Sequence, residues 1–91
     1  MGENATRQMK KNEYEKLTDR QKAVFKVLFT GGVYTAKHIR NAIGDESLNV
    51  SAIVKALKEK DARIKIGWRY QKGKGYFKVY SHAAPGRWLS E

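Results

Sequence analysis

His38 and His82 are the side chains best suited to proton transfer near neutral pH, yet they lie far apart in a chain that has no cysteine. Acid–base work and metal ligation both need a second group within reach. Neither histidine has such a partner at ligand spacing, so both read as surface residues. Asp45 and Glu46 are neighbours in a polar turn, where their charge suits a helix N-terminus. Gly73 and Gly75 are not followed by a helix, which a phosphate-binding loop requires. The residues therefore offer no catalytic constellation, no metal set and no cofactor motif, and the expectation is a protein without enzymatic activity.

Charge is the chemistry that remains. Nineteen Lys and Arg against nine Asp and Glu give a formal net charge of +10 in 91 residues. Self-repulsion on that scale destabilises a folded domain unless a polyanion relieves it. Nucleic acid is the first such partner, with an anionic membrane or an acidic protein behind it. From Lys55 to Lys78 there are nine basic residues against Glu59 and Asp61, so +7 of the +10 falls in one segment. Arg69, Lys72 and Lys74 flank a glycine-rich turn and Lys78 follows it; with Lys58 they are the candidates for phosphate contact, which positions a protein without reading sequence. Trp68, Tyr70, Tyr76, Phe77 and Tyr80 interleave with these cations. Such rings form a packing face with cross-strand pairs, or they stack unpaired bases as single-strand binders do.

The elements that must hold these groups follow from apolar spacing. Thr18 and Gln21 make a capping box, and Val24, Val27 and Leu28, broadened by Phe25 and Phe29, form a helical stripe that Gly31 and Gly32 end. Val33 and Tyr34 are enough for one short bridging strand. Thr35 caps a short helix through Ile39, Ala42 and Ile43, with Gly44 as its left-handed stop. Val50, Ile53, Val54 and Leu57 then mark the buried face of another helix. After Ala62 the period becomes two: Ile64, Ile66, Trp68 and Tyr70 alternate with charged residues and glycine, and Tyr76 to Tyr80 returns. The reading is three helices near 18–30, 35–43 and 49–60, then a hairpin at about 63–81. Residues 1–16 read as a flexible polar arm, because Met9 and Tyr14 are too little apolar surface to order it. Residues 82–91 read as a tail that turns at Pro85-Gly86 and lays Trp88 and Leu89 on the core.

From Leu17 to Tyr80 this order resembles the winged helix-turn-helix family, particularly its small members encoded by phages and mobile elements. The residues that carry the likeness are Leu17-Thr18-Asp19-Arg20-Gln21, Gly32-Val33-Tyr34-Thr35-Ala36, Val50 through Leu57, Arg63-Ile64 and Tyr76 to Tyr80. Two features depart from it. Asp61 stands where the family has a glycine closing the third helix, so that exit calls for an Asp in a turn conformation. The turn from Gly44 to Leu48 is also longer than in simple helix-turn-helix units. The resemblance implies an α+β fold, a three-helix winged helix-turn-helix over residues 17–81 with a C-terminal β-hairpin wing. It further implies a double-stranded DNA partner, met by the third helix in the major groove, in the service of transcriptional regulation or of a mobile element.

The residues of that helix agree with the implication. With the apolar face inward, Asn49, Ser51, Ala52, Lys55 and Lys58 project outward. A groove-reading helix meets bases with its N-terminal half, which nominates Asn49, Ser51, Ala52 and Lys55. Asn suits adenine, Lys reaches guanine, and the Ala methyl touches that of thymine. Asn49 serves equally well as an N-cap, and Lys55 and Lys58 as a solvated face. A single-stranded DNA or RNA binder using the aromatic hairpin, and a winged-helix module for an acidic protein, stay open as alternatives, as does a homodimer. No stretch approaches the roughly 18 apolar residues of a membrane helix, the N-terminus has no apolar run for a signal peptide, and the lack of cysteine fits a reducing cytoplasm.

Overall fold

The computed structural model describes residues 8–88. Among the described residues four helices precede a two-stranded antiparallel hairpin: α1 (Lys11–Glu15), α2 (Asp19–Leu28), α3 (Ala36–Ile43), α4 (Val50–Lys60), β1 (Ile64–Gln71) and β2 (Gly75–His82). The class is α+β, and the last three helices match those read from the sequence to within two residues at each end.

Each of those three helices starts on a side chain that satisfies an open backbone N–H. Thr18 Oγ1 accepts from the Gln21 N–H at 3.2 Å, while Gln21 Oε1 takes the Thr18 N–H at 3.1 Å. Thr35 Oγ1 accepts the His38 N–H, with His38 Nδ1 facing the Thr35 N–H in return. Asn49 Oδ1 accepts the Ala52 N–H at 3.2 Å. Helix α3 stops at Gly44, whose φ of 84° suits a residue without a Cβ.

Helix α2 lies at the centre, with Val24, Phe25 and Leu28 buried against α3, α4 and β2. Met9 and Leu17 ahead of α2, Ile39 of α3, Val50, Val54 and Leu57 of α4, Leu48 before it, and Ile64 and Tyr80 of the hairpin complete the core. Tyr34 and Tyr80 exchange both backbone hydrogen bonds, at 2.9 and 2.7 Å, so the short bridging strand forms as a single antiparallel bridge on the edge of β2.

Two segments differ from expectation. Residues 1–16 were expected to be a flexible arm, but residues 11–15 are helical and Met9 is fully buried. The Tyr14 ring packs 5.7 Å from Phe25 and 5.4 Å from Trp88. Too few apolar groups order a segment by themselves, but they suffice when a tertiary partner is waiting. The part of that expectation concerning residues 1–7, and the packing of Leu89, lie outside the described residues. Trp88 does return to the core, against Phe25 and Phe29. Strand β2 also runs one residue past the expected hairpin, and that residue is His82.

Candidate nucleic-acid interface

Helix α4 buries Val50, Val54 and Leu57 and leaves Ser51, Ala52 and Lys55 exposed, as its spacing requires. Asn49 is exposed too, and its side-chain carbonyl oxygen is engaged as the helix cap. Lys58 turns back toward the protein: its ammonium donates to the Ile64 carbonyl at 3.0 Å and fastens α4 to the start of β1. Two of its three hydrogens stay outside that bond.

The hairpin pairs Trp68 with Lys78, Arg69 with Phe77 and Tyr70 with Tyr76 across its strands. Arg69, Lys72, Lys74 and Lys78 are all exposed. The turn at Lys72–Lys74 is closed by the Lys74 N–H on the Gln71 carbonyl, with Gly73 at φ 89°. Since partners in register point to the same side, Ile64, Ile66, Trp68 and Tyr70 share a face with Tyr76, Lys78, Tyr80 and His82. At the base this face is core. Toward the tip it is open, with Trp68, Tyr70 and Tyr76 between 62% and 73% exposed. Both parts of the packing expectation are present: Tyr80 and the half-buried Phe77 pack, and Tyr70 and Tyr76 make a cross-strand pair at 5.2 Å, exposed to water.

A cleft of about 650 Å³ separates the hairpin tip from the start of α3, lined by Thr35, Lys37, His38 and Asn41 on one wall and Gln71, Lys74 and Phe77 on the other. It brings the exposed Lys37 and Lys74 to one opening. Spacing along the chain could not have brought these two together, because they meet only where the hairpin folds back beside α3.

Asp61 and His82 form the polar centre of the molecule. Asp61 follows α4 in extended backbone (φ −142°, ψ 100°) and opens the turn expected there, its carbonyl accepting the Ile64 N–H at 3.2 Å. Its carboxylate accepts the Arg63 N–H, two bonds from the Arg63 guanidinium at 2.9 Å and one from His82 Nε2 at 3.0 Å. Burial works to raise the Asp61 pKa, but the hydrogen bonds from His82 and Arg63 and the Arg63 charge outweigh it, lowering the value from 3.8 to about 2. His82 was expected at the surface. It is buried, edge-on to Phe25 and Phe29, with Nδ1 accepting the Ala84 N–H at 3.0 Å. That bond leaves the ring proton on Nε2, facing Asp61. Both side chains are buried and their polar atoms hydrogen-bonded, so the cluster acts as a structural joint. Asp45, expected to complement a helix N-terminus, closes its own turn: Oδ1 accepts both the N–H and the hydroxyl of Ser47, which lowers its pKa.

Among the described residues no group of three or more His, Cys, Asp or Glu could hold a metal ion, and no helix is long and apolar enough to cross a membrane. No protein-family model, no curated protein and no solved structure matches this chain.

Proposed function

We propose that this chain is a non-enzymatic double-stranded DNA-binding domain of the winged helix-turn-helix kind, acting in the cytoplasm as a transcriptional regulator or mobile-element accessory factor. The observation that carries the reading is the charge on α4 and the hairpin. Of the nine cations between Lys55 and Lys78, only Arg63 is spent on a buried anion, Asp61. Removing that pair takes one charge of each sign, so the segment still carries +7. Helix order followed by a two-stranded hairpin supports the winged arrangement.

In this reading Lys72, Lys74, Arg69 and Lys78 neutralise phosphates, with Lys37 lining the same cleft as Lys74. The exposed start of α4 lies in the major groove. Lys55 reaches guanine, Ser51 bonds either base type, and Ala52 meets thymine methyls. Asn49 acts mainly as the cap that presents the Ser51 and Ala52 turn, and Lys58 mainly as the tie between α4 and the wing.

A competition titration tests the proposal. Labelled duplex bound to the protein is challenged with unlabelled duplex, single-stranded DNA and RNA of matched length. Unlabelled duplex should displace the label at the lowest concentration. Equal or better displacement by single strands or RNA would overturn the duplex assignment.

A further inference from the structure

Among the described residues, nothing packs over the open face near the hairpin tip. Trp68 and Tyr70 on β1 and Tyr76 on β2 are 62%, 63% and 73% exposed, while Ile64, Tyr80 and His82 of the same face are buried beneath the base. Contiguous exposed aromatic surface is uncommon on a soluble domain and marks a place where something binds. The charge around it says what kind of group that is. From Ala62 to Ser90 there is no Asp or Glu, and there are seven Lys and Arg residues. One of them, Lys78, holds its ammonium 5.7 Å from the Trp68 ring centroid. An apolar protein surface laid here would desolvate these cations without pairing them. A single strand of nucleic acid supplies a flat π-face and a phosphate at each nucleotide, matching rings and cations together. Within an intact duplex the bases are stacked on one another and cannot offer their faces to the rings.

We propose that Trp68, Tyr70 and Tyr76 form a stacking surface for unpaired bases next to a duplex, so that the preferred target is a duplex bearing a single-stranded extension. This rests on the duplex reading for the neighbouring helix, while the stacking stands on the rings alone. The Tyr70 and Tyr76 planes meet at 61°, so a base stacked on one ring meets the edge of the other. Lys78, opposite Trp68 in register, is placed to take the phosphate between stacked bases.

Three probes test it: a blunt duplex, the same duplex with a thymidine overhang, and the same duplex with an abasic overhang of equal length. The thymidine overhang should tighten binding about tenfold over the blunt duplex, and the abasic one by much less, since it adds only phosphates. The double variant W68A/Y76A should lose the thymidine gain and keep its blunt-duplex affinity within about twofold. Its far-ultraviolet circular dichroism and unfolding midpoint should match the parent, because both rings face water. Equal binding of thymidine and abasic overhangs, or a parallel loss on blunt and overhang probes in the variant, would overturn the inference. Failure of the blunt duplex to bind, with a free thymidine strand still bound through the rings, would remove the duplex reading and uphold the stacking surface. Absence of binding to all probes would sink both and leave a protein as the occupant.

Discussion

His82 Nε2 lies 3.0 Å from Asp61 Oδ2, and neither side chain touches solvent. The bond joins the last residue of β2 to the residue that ends α4. Arg63 closes the other side of the carboxylate and also donates to the Arg87 carbonyl at 2.8 Å, so the C-terminal segment is held at the same joint. Helix and hairpin, the two elements that carry the basic surface, are thereby fixed to each other by one buried anion.

That joint makes the fold acid-sensitive. The Asp61 pKa is depressed to about 2 in the folded protein from an ordinary 3.8. Its contribution is therefore fully present above the ordinary value and is lost as pH falls through the interval toward 2. Unfolding midpoints measured across this interval should drop with acid. In D61N the dependence should flatten, and the variant should be less stable at neutral pH by about 3 kcal/mol or more, because Arg63 and His82 lose their charged partner. An unfolding curve for D61N that matches the parent at pH 7 would show that the joint does not matter.

Lys72 and Lys74 flank Gly73 at the exposed tip, where mobile ammonium groups suit phosphates better than base edges. The variant K72A/K74A should weaken binding about equally on every duplex and make the salt dependence shallower by roughly 2 units of slope. A loss confined to particular sequences would mean that the tip reads bases.

Lys55 is exposed on the outward face of α4, opposite Val54 and Leu57 of the core. A preferred duplex is first selected from a random pool. On it, K55A should cost about 1–3 kcal/mol if the side chain reaches a guanine edge, and clearly less on unselected duplex. A uniform loss, or a selection that returns no consensus, would make the protein an architectural binder held by charge.

What the sequence made legible was local. The Thr18–Gln21 box, the Thr35 and Asn49 caps, the Gly44 stop and the inward stripe of α4 each depend on residues within a turn or two, and their spacing states them. The same locality explains what stayed hidden. His82 sat one residue beyond the expected hairpin; carried one step further, the alternation of Tyr76, Lys78 and Tyr80 would have put it on the core face opposite Ile64. Asp61 looked like an awkward substitute for glycine because its partners, Arg63 and His82, meet it only once the hairpin folds back. Met9 and Tyr14 looked too sparse to order a helix because Phe25 and Trp88 were not yet beside them. The meeting of Lys37 and Lys74 at one cleft comes from the hairpin packing beside α3, which no period reveals. Candidate base readers on α4 were legible as an exposed face, since exposure is the complement of the apolar stripe.

Duplex binding by the basic surface is tested most directly by equilibrium affinity for one duplex at a series of salt concentrations. Seven net charges on α4 and the hairpin, with about four to six phosphates neutralised, predict a plot of log K against log[salt] with a slope of about −4 to −5. A slope near zero would contradict the account, because the +7 segment would then be doing no work at the DNA backbone.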